Sequence, residues 1–266
     1  MIDSYFVAIL CTVSLYWVAA FWQGRLLIQG QEGYRERKLL TLGGGTWAMH
    51  ILLLALMIFQ HSASHPLTIT QVINLISLSV TGMVLLAANK KPVANLFIFI
   101  FPLNAVSLLL LQFAPGTPLS LLPYTRSELI HIGLSILSFS VLFAAALQAI
   151  LLAIGEYSLR VKRVTQSLVG LPPLQTMENL LFQLILLGFV LLSLVLVTSV
   201  FTFGGLTSGS LLEKTLLTVC AWGVFLFLLL GRYFKGWRGR TAINGTLFGM
   251  SILILSYFGT KLLLIV

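Results

Sequence analysis

Apolar stretches of about twenty residues recur along the whole chain, and this pattern limits the fold more than any other feature. Each stretch is close to the ~20 residues that a helix needs to cross a ~30 Å hydrocarbon core. Since backbone groups in lipid must be satisfied within their own segment, each stretch predicts a helix. The sequence therefore predicts an all-α polytopic membrane protein, a bundle of eight transmembrane helices in one integral membrane domain, 1–266. The predicted spans are 4–23, 40–60, 69–88, 93–113, 129–155, 179–203, 214–231 and 243–264.

The basic residues are distributed unequally between the two sides of the predicted membrane. Thirteen of the sixteen Lys and Arg residues fall in loops on one side, which predicts that this side is cytoplasmic and that both termini face outward. The net charge of +9 is thus explained by orientation in the bilayer, and no nucleic-acid partner is expected. The segment GRYFKGWRGR, 231–240, is predicted to be a cytoplasmic anchor loop at the lipid surface. Its anchoring residues are Arg232, Lys235, Trp237, Arg238 and Arg240.

Several classes of function lack their usual signals in this sequence. No Asp, Glu, Lys or Arg lies well inside a predicted span, which disfavours ion-coupled transport and small-molecule export. No catalytic motif is recognisable, so the chain is expected not to be an enzyme. The glycine run 43–45 lies inside a predicted span, where close helix packing explains it better than phosphate binding does. Cys11 and Cys220 lie in apolar runs and are expected to be buried thiols.

Two histidines are candidates for a ligand-binding role. His50 lies about ten residues into the second span, near mid-membrane, with Thr46 on the same helical face. His131 opens the fifth span and shares a face with Ser135 and Ser138. Each histidine has two interpretations that the sequence leaves open. One is a hydrogen-bonded residue at a helix–helix contact, and the other is an axial haem ligand oriented by a nearby hydroxyl.

The other two histidines, His61 and His65, lie four residues apart in the outward loop after the second span. A surface metal site is one interpretation of this pair. The alternative is a solvated polar loop, since exposed loops are commonly polar and variable.

Several stretches in the second half resemble the cytochrome c assembly family, which includes the CcsA-type and CcmC-type haem-handling membrane proteins. They are HIGLSILSFSVLFAAALQAILL, the run that begins LPPLQTMENLLFQLILL, GWRGR, and YFGTK near the end. The eight-span layout is most similar to the small YpjD-type branch of this family, which consists of bacterial inner membrane proteins. The resemblance covers 128–260 most closely. It implies haem as cofactor, with His50 and His131 as the ligands to test, and the lipid bilayer, another membrane protein or a cytochrome assembly component as partners.

Two departures from the family pattern bear on this expectation. The outward stretch FTFGGLTSGSLLEKTLLT retains Glu213, Lys214 and Thr215 but has no tryptophan, whereas haem-binding members carry a tryptophan-rich segment here. Arg232 stands where the family has a histidine before GWRGR. Haem binding or handling, or assistance in cytochrome complex assembly, is therefore the primary hypothesis. A non-haem accessory or scaffold subunit of another membrane complex is the alternative.

Overall fold

A computed structural model describes residues 2–29, 37–60, 67–114, 116, 124–160, 171–203 and 209–259. Within these ranges the chain forms eight α-helices, each long and apolar enough to cross a membrane, which confirms the predicted all-α, eight-span fold. A 3₁₀ turn, Ala94–Leu96, precedes α4, and a π-helical turn, Leu255–Gly259, continues α8. The helices are α1 Ile2–Ile28, α2 Arg37–Gln60, α3 Ile69–Ala88, α4 Phe97–Phe113, α5 Arg126–Arg160, α6 Leu174–Phe203, α7 Gly209–Lys235 and α8 Arg240–Ile254.

Most helices extend beyond the predicted spans. α5 continues five residues past 155 to Arg160, and α7 begins at Gly209 rather than 214. Hydropathy marks the part of a helix that lies in hydrocarbon, whereas the helix itself continues into the headgroup region, where polar side chains are solvated.

The eight helices form two compact units of four, α1–α4 and α5–α8, and each is described by itself. In the first unit α1 packs on α2 and α4, and α3 packs on α2 and α4. In the second unit α5 packs on α6 and α8, and α7 packs on α6 and α8. Each unit is therefore a closed ring of four helices in chain order, with its first helix against its last. The number of domains remains a prediction.

The first unit has an aromatic core beside a polar one. Phe97 and Phe101 of α4 stack with their ring centroids 4.7 Å apart, and Tyr16 of α1 packs on Phe101 at 5.8 Å. All three side chains are fully buried. Gly43 of α2 lets the Phe101 ring approach closely, because a Cβ there would lie 2.8 Å from its Cζ.

The second unit is centred on α5, whose small residues allow close helix contact. Ala145, Ala149 and Leu152 are fully buried, as is Leu142. Leu142 packs directly onto Gly188 of α6, where a Cβ would lie 2.4 Å from its Cδ2. Small residues at helix contacts are the usual means by which membrane helices pack without a hydrophobic driving force.

Two expectations about small residues need correction. Close packing explains Gly43, but a Cβ on Gly44 or Gly45 would meet nothing within 4 Å. Cys11 and Cys220 are exposed rather than buried. The reason is the same in both cases: in a membrane helix an apolar sequence continues around the whole circumference, so it does not distinguish the lipid-facing side from the packed side.

Candidate functional site

His50 lies at the centre of a buried hydrogen-bond network that connects all four helices of the first unit. Its Nδ1 is 3.1 Å from the hydroxyl of Tyr16 on α1, and its Nε2 is 2.9 Å from Oδ1 of Asn74 on α3. Asn74 in turn contacts α4, since its Nδ2 donates to the carbonyl of Ser107 at 2.9 Å. Ser107 and Ser77 pair through their hydroxyls at 3.0 Å. The imidazole is fully buried.

The Asn74 amide determines the tautomer of His50. Its Nδ2 donates to two backbone carbonyls, those of Thr70 and Ser107, each at 2.9 Å. Both amide hydrogens are therefore used, and Oδ1 must accept. It follows that Nε2 of His50 carries the hydrogen, that Nδ1 is the acceptor, and that the Tyr16 hydroxyl donates to it.

This arrangement does not fit axial haem ligation by His50. An imidazole binds iron through a nitrogen lone pair, but the lone pair of Nδ1 accepts from Tyr16 and Nε2 is protonated. Thr46, predicted as a supporting residue, is buried one turn before His50 and donates to the carbonyl of Leu42 at 2.8 Å. The polar groups around His50 thus complete contacts between and within helices.

His131 lies in a different setting, near the beginning of α5. Its ring is partly buried, and its Nδ1 is 3.0 Å from the hydroxyl of Thr198 on α6. The Thr198 hydroxyl itself donates to the carbonyl of Val195 at 3.0 Å. The contact with Thr198 holds the ring in a fixed orientation. A hydrogen bond on one ring nitrogen is the arrangement by which ligating histidines are normally oriented.

Ser135 and Ser138 belong to helix contacts within the second unit. The Ser138 hydroxyl is fully buried and donates to the carbonyl of Gly188 at 3.4 Å. The carbonyl of Ser135 accepts from the hydroxyl of Tyr257 at 3.3 Å. Sequence reasoning identified the face that carries these serines but missed Thr198, which is 67 residues away along the chain.

The segment 231–240 is a folded connection between α7 and α8 rather than a loose basic loop. α7 ends in a left-handed C-cap in which Gly236, with φ of 63°, donates its N–H to the carbonyl of Arg232. Trp237 then folds back onto the helix, its ring centroid 4.8 Å from that of Phe227. The indole lies directly over Gly231, where a Cβ would be 2.1 Å from its Cε3.

Arg232 fastens this connection to α6. One guanidinium nitrogen donates to the carbonyl of Trp237 and another to Oδ1 of Asn179, each at 3.2 Å, and the group lies 4.7 Å from the Phe182 ring centroid. Gly239, with φ of 52°, donates to the Glu178 carboxylate at 2.7 Å. Of the predicted anchor residues, Arg232 and Trp237 are therefore half-buried in internal contacts. Lys235, Arg238 and Arg240 are exposed.

Metal binding gains no support from the ranges that the structure covers. His61 and His65 lie outside the described residues, as do 204–208 of the outward stretch. Among the residues that are described, no three His, Cys, Asp or Glu side chains come together.

Comparison with known proteins identifies the family. The model described as "Cytochrome C assembly protein" matches residues 44–266, a range that contains both His50 and His131. The chain belongs to the cytochrome c assembly family. The match begins in α2, so this family membership extends through most of the first unit, well beyond the stretches in which the resemblance was most evident.

Within the cytochrome c assembly family, the chain is similar to proteins named "Inner membrane protein YpjD". Those of Escherichia coli strain K12 and of Escherichia coli O157:H7 are each 31% identical to it over 236 residues, 89% of either chain. No solved structure was found to match the chain. The eight apolar helices and these relatives establish a multi-pass inner membrane protein in contact with the lipid bilayer.

Proposed function

We propose that this member of the cytochrome c assembly family binds haem for delivery or for assembly of a cytochrome complex, and that His131 is the axial ligand. Family membership supports the cofactor. The observation that carries the choice of residue is the 3.0 Å hydrogen bond between Nδ1 of His131 and the hydroxyl of Thr198, since ligating histidines are commonly oriented by a hydrogen bond on their other ring nitrogen. No reaction chemistry is assigned to the chain, and its role is not that of an enzyme.

The two histidines differ in burial and in position. His50 uses both ring nitrogens inside a fully buried network, so it serves the packing of α1 to α4. His131 is only partly buried and stands in the first turns of α5, at the end predicted to face outward. Haem, when bound, would supply an iron centre that a histidine nitrogen can ligate. The role of the protein at this site is to hold the His131 imidazole in one orientation.

A non-haem scaffold subunit is the second candidate, and two observations favour it. His50 is committed to helix packing, and Arg232, which stands in place of a family histidine, fastens the α7–α8 connection to α6. A protein that has replaced ligands by structural contacts would keep the fold and bind a partner protein through it.

The proposal is tested by the absorbance spectrum of the full chain, purified in detergent from cells supplied with ample haem. We expect a Soret band in stoichiometric proportion to the chain. Thr198→Val should keep the band but weaken haem affinity by roughly tenfold, because removing an orienting partner costs ~10–100-fold in related metal sites. Haem titration of the stripped protein measures this difference.

The matched control is Thr202→Val, one helical turn further along α6, which should bind haem like the wild type. Equal weakening by both substitutions would contradict the orienting role of Thr198. A folded, monodisperse wild type without a Soret band would overturn haem binding. The scaffold function would then be tested by identifying proteins that co-purify with the chain.

A further inference from the structure

A cavity of roughly 520 Å³ lies in the second unit, at the ends of three membrane helices. It is formed by the last turns of α5 and the first turns of α6 and α8, on the side that the charge distribution predicts to be cytoplasmic. Its lining residues are Ala153, Glu156, Tyr157, Leu174, Arg240, Ile243 and Asn244. The cavity is distinct from the His131 site, which lies at the opposite end of α5.

The polar part of this cavity carries one charge of each sign. Glu156 and Arg240 both line it, and within the described ranges no ion pair joins them. The carboxylate lies close to Gly239, where a Cβ would be 2.8 Å from Oε1 of Glu156. The N-terminus of α8 contributes further positive potential beside Arg240. Two opposite charges that face one cavity without pairing are suited to a ligand that carries both.

The rest of the cavity is apolar and adjoins lipid-facing surface. Leu174 and the buried Ile243 line it, while Tyr157 and Ile154 on the same turn of α5 are 69% and 38% exposed. Because α5, α6 and α8 span the membrane, these exposed side chains face lipid next to the cavity mouth. A ligand that enters from this side would therefore carry an apolar tail.

We propose that this cavity binds the headgroup of a zwitterionic phospholipid with a primary ammonium, of the phosphatidylethanolamine type. Arg240 contacts the phosphate, Glu156 accepts hydrogen bonds from the ammonium, and the acyl chains lie against Ile154 and Tyr157. A purely anionic lipid would meet the Glu156 carboxylate without a compensating cation. Phosphatidylcholine carries the same charges, but its quaternary ammonium has no N–H group to donate.

The test uses the full chain in nanodiscs made from equal amounts of phosphatidylethanolamine, phosphatidylcholine and phosphatidylglycerol with identical acyl chains. Native mass spectrometry of the released protein counts the lipids that it retains. The wild type should retain phosphatidylethanolamine over phosphatidylcholine by about tenfold or more, as expected for a hydrogen bond to a charged group. Glu156→Gln should lower this ratio severalfold, because a neutral amide oxygen accepts a weaker hydrogen bond than a carboxylate does. Arg240→Gln should reduce retention of both lipids, since both have the phosphate.

Matched controls come from the opposite end of α5, where Arg126→Gln and Glu128→Gln remove the same charges and should leave the lipid ratio unchanged. Preferential retention of phosphatidylglycerol would overturn the proposal, and so would a Glu156→Gln ratio equal to that of the wild type. Added glycerophosphoethanolamine separates the two sources of the headgroup. If it displaces the retained lipid at millimolar concentration, the site recognises a soluble phosphoester and the lipid assignment is wrong.

Discussion

Substitution of Asn74 by alanine is expected to lower the free energy of unfolding by about 3 kcal/mol, which corresponds to a fall in Tm of roughly 5 to 10 °C. The Asn74 side chain makes four hydrogen bonds, to Nε2 of His50, to the carbonyls of Thr70 and Ser107, and to the Ser107 hydroxyl. Each bond between membrane helices is worth ~0.6 to 2 kcal/mol. Removal of the Asn74 amide also leaves the buried imidazole of His50 without this partner, and no water is available in the bilayer core to replace it.

Thermal unfolding in detergent, followed by circular dichroism, measures this effect. The control is Asn89→Ala, at the exposed C-cap of the same helix, which should change Tm by no more than roughly 2 °C. Similar values for the two variants would show that the His50–Asn74 network contributes nothing specific to the packing of the first unit.

Substitution of Gly231 by valine is expected to displace Trp237 and open the connection between α7 and α8. Any Cβ at position 231 would overlap the indole, with the nearest ring atom 2.1 Å away. The displaced ring would lose its contact with Phe227, and the Arg232 bond to the Trp237 carbonyl would be broken. Overpacking of this kind costs ~1–3 kcal/mol, and each ~1.4 kcal/mol changes an equilibrium tenfold. Trypsin should therefore cleave after Arg238 roughly ten times faster than in the wild type.

The same helix supplies the control. Gly223→Val introduces an identical side chain at a position where a Cβ meets nothing within 4 Å, so the rate of cleavage at Arg238 should not change. Acceleration in both variants would indicate that valine loosens α7 in general, and an unchanged rate in Gly231→Val would refute the packing of Trp237 on Gly231.

Hydropathy was sufficient to predict the number and order of the helices, because in a bilayer each spanning segment must satisfy its own backbone. It was insufficient to predict which faces are packed. Gly44, Gly45, Cys11 and Cys220 lie in equally apolar sequence and are not at close helix contacts. Which side of a helix meets another helix depends on tertiary packing. When a helix is apolar on all sides, its sequence does not show which side that is.

The candidate site was predicted in part. His50 and His131 were identified because polar residues in apolar spans are costly unless they have partners. Asn74 and Ser107 carry the same signal, as amide and hydroxyl groups inside the third and fourth spans, and could have been found by it. Sequence alone could not predict that Tyr16 pairs with His50 or that Thr198 pairs with His131, because each pair joins residues from different helices.

We propose that His131 is the haem ligand and that His50 is structural. The most direct measurement is the Soret absorbance of the wild type beside His131→Gln and His50→Gln. Glutamine at position 50 offers one donor and one acceptor to Asn74 and Tyr16, so it removes the imidazole while keeping both kinds of hydrogen bond. We predict that the band is lost in His131→Gln and retained in His50→Gln. A band that is lost in His50→Gln and retained in His131→Gln would overturn this assignment of the two histidines.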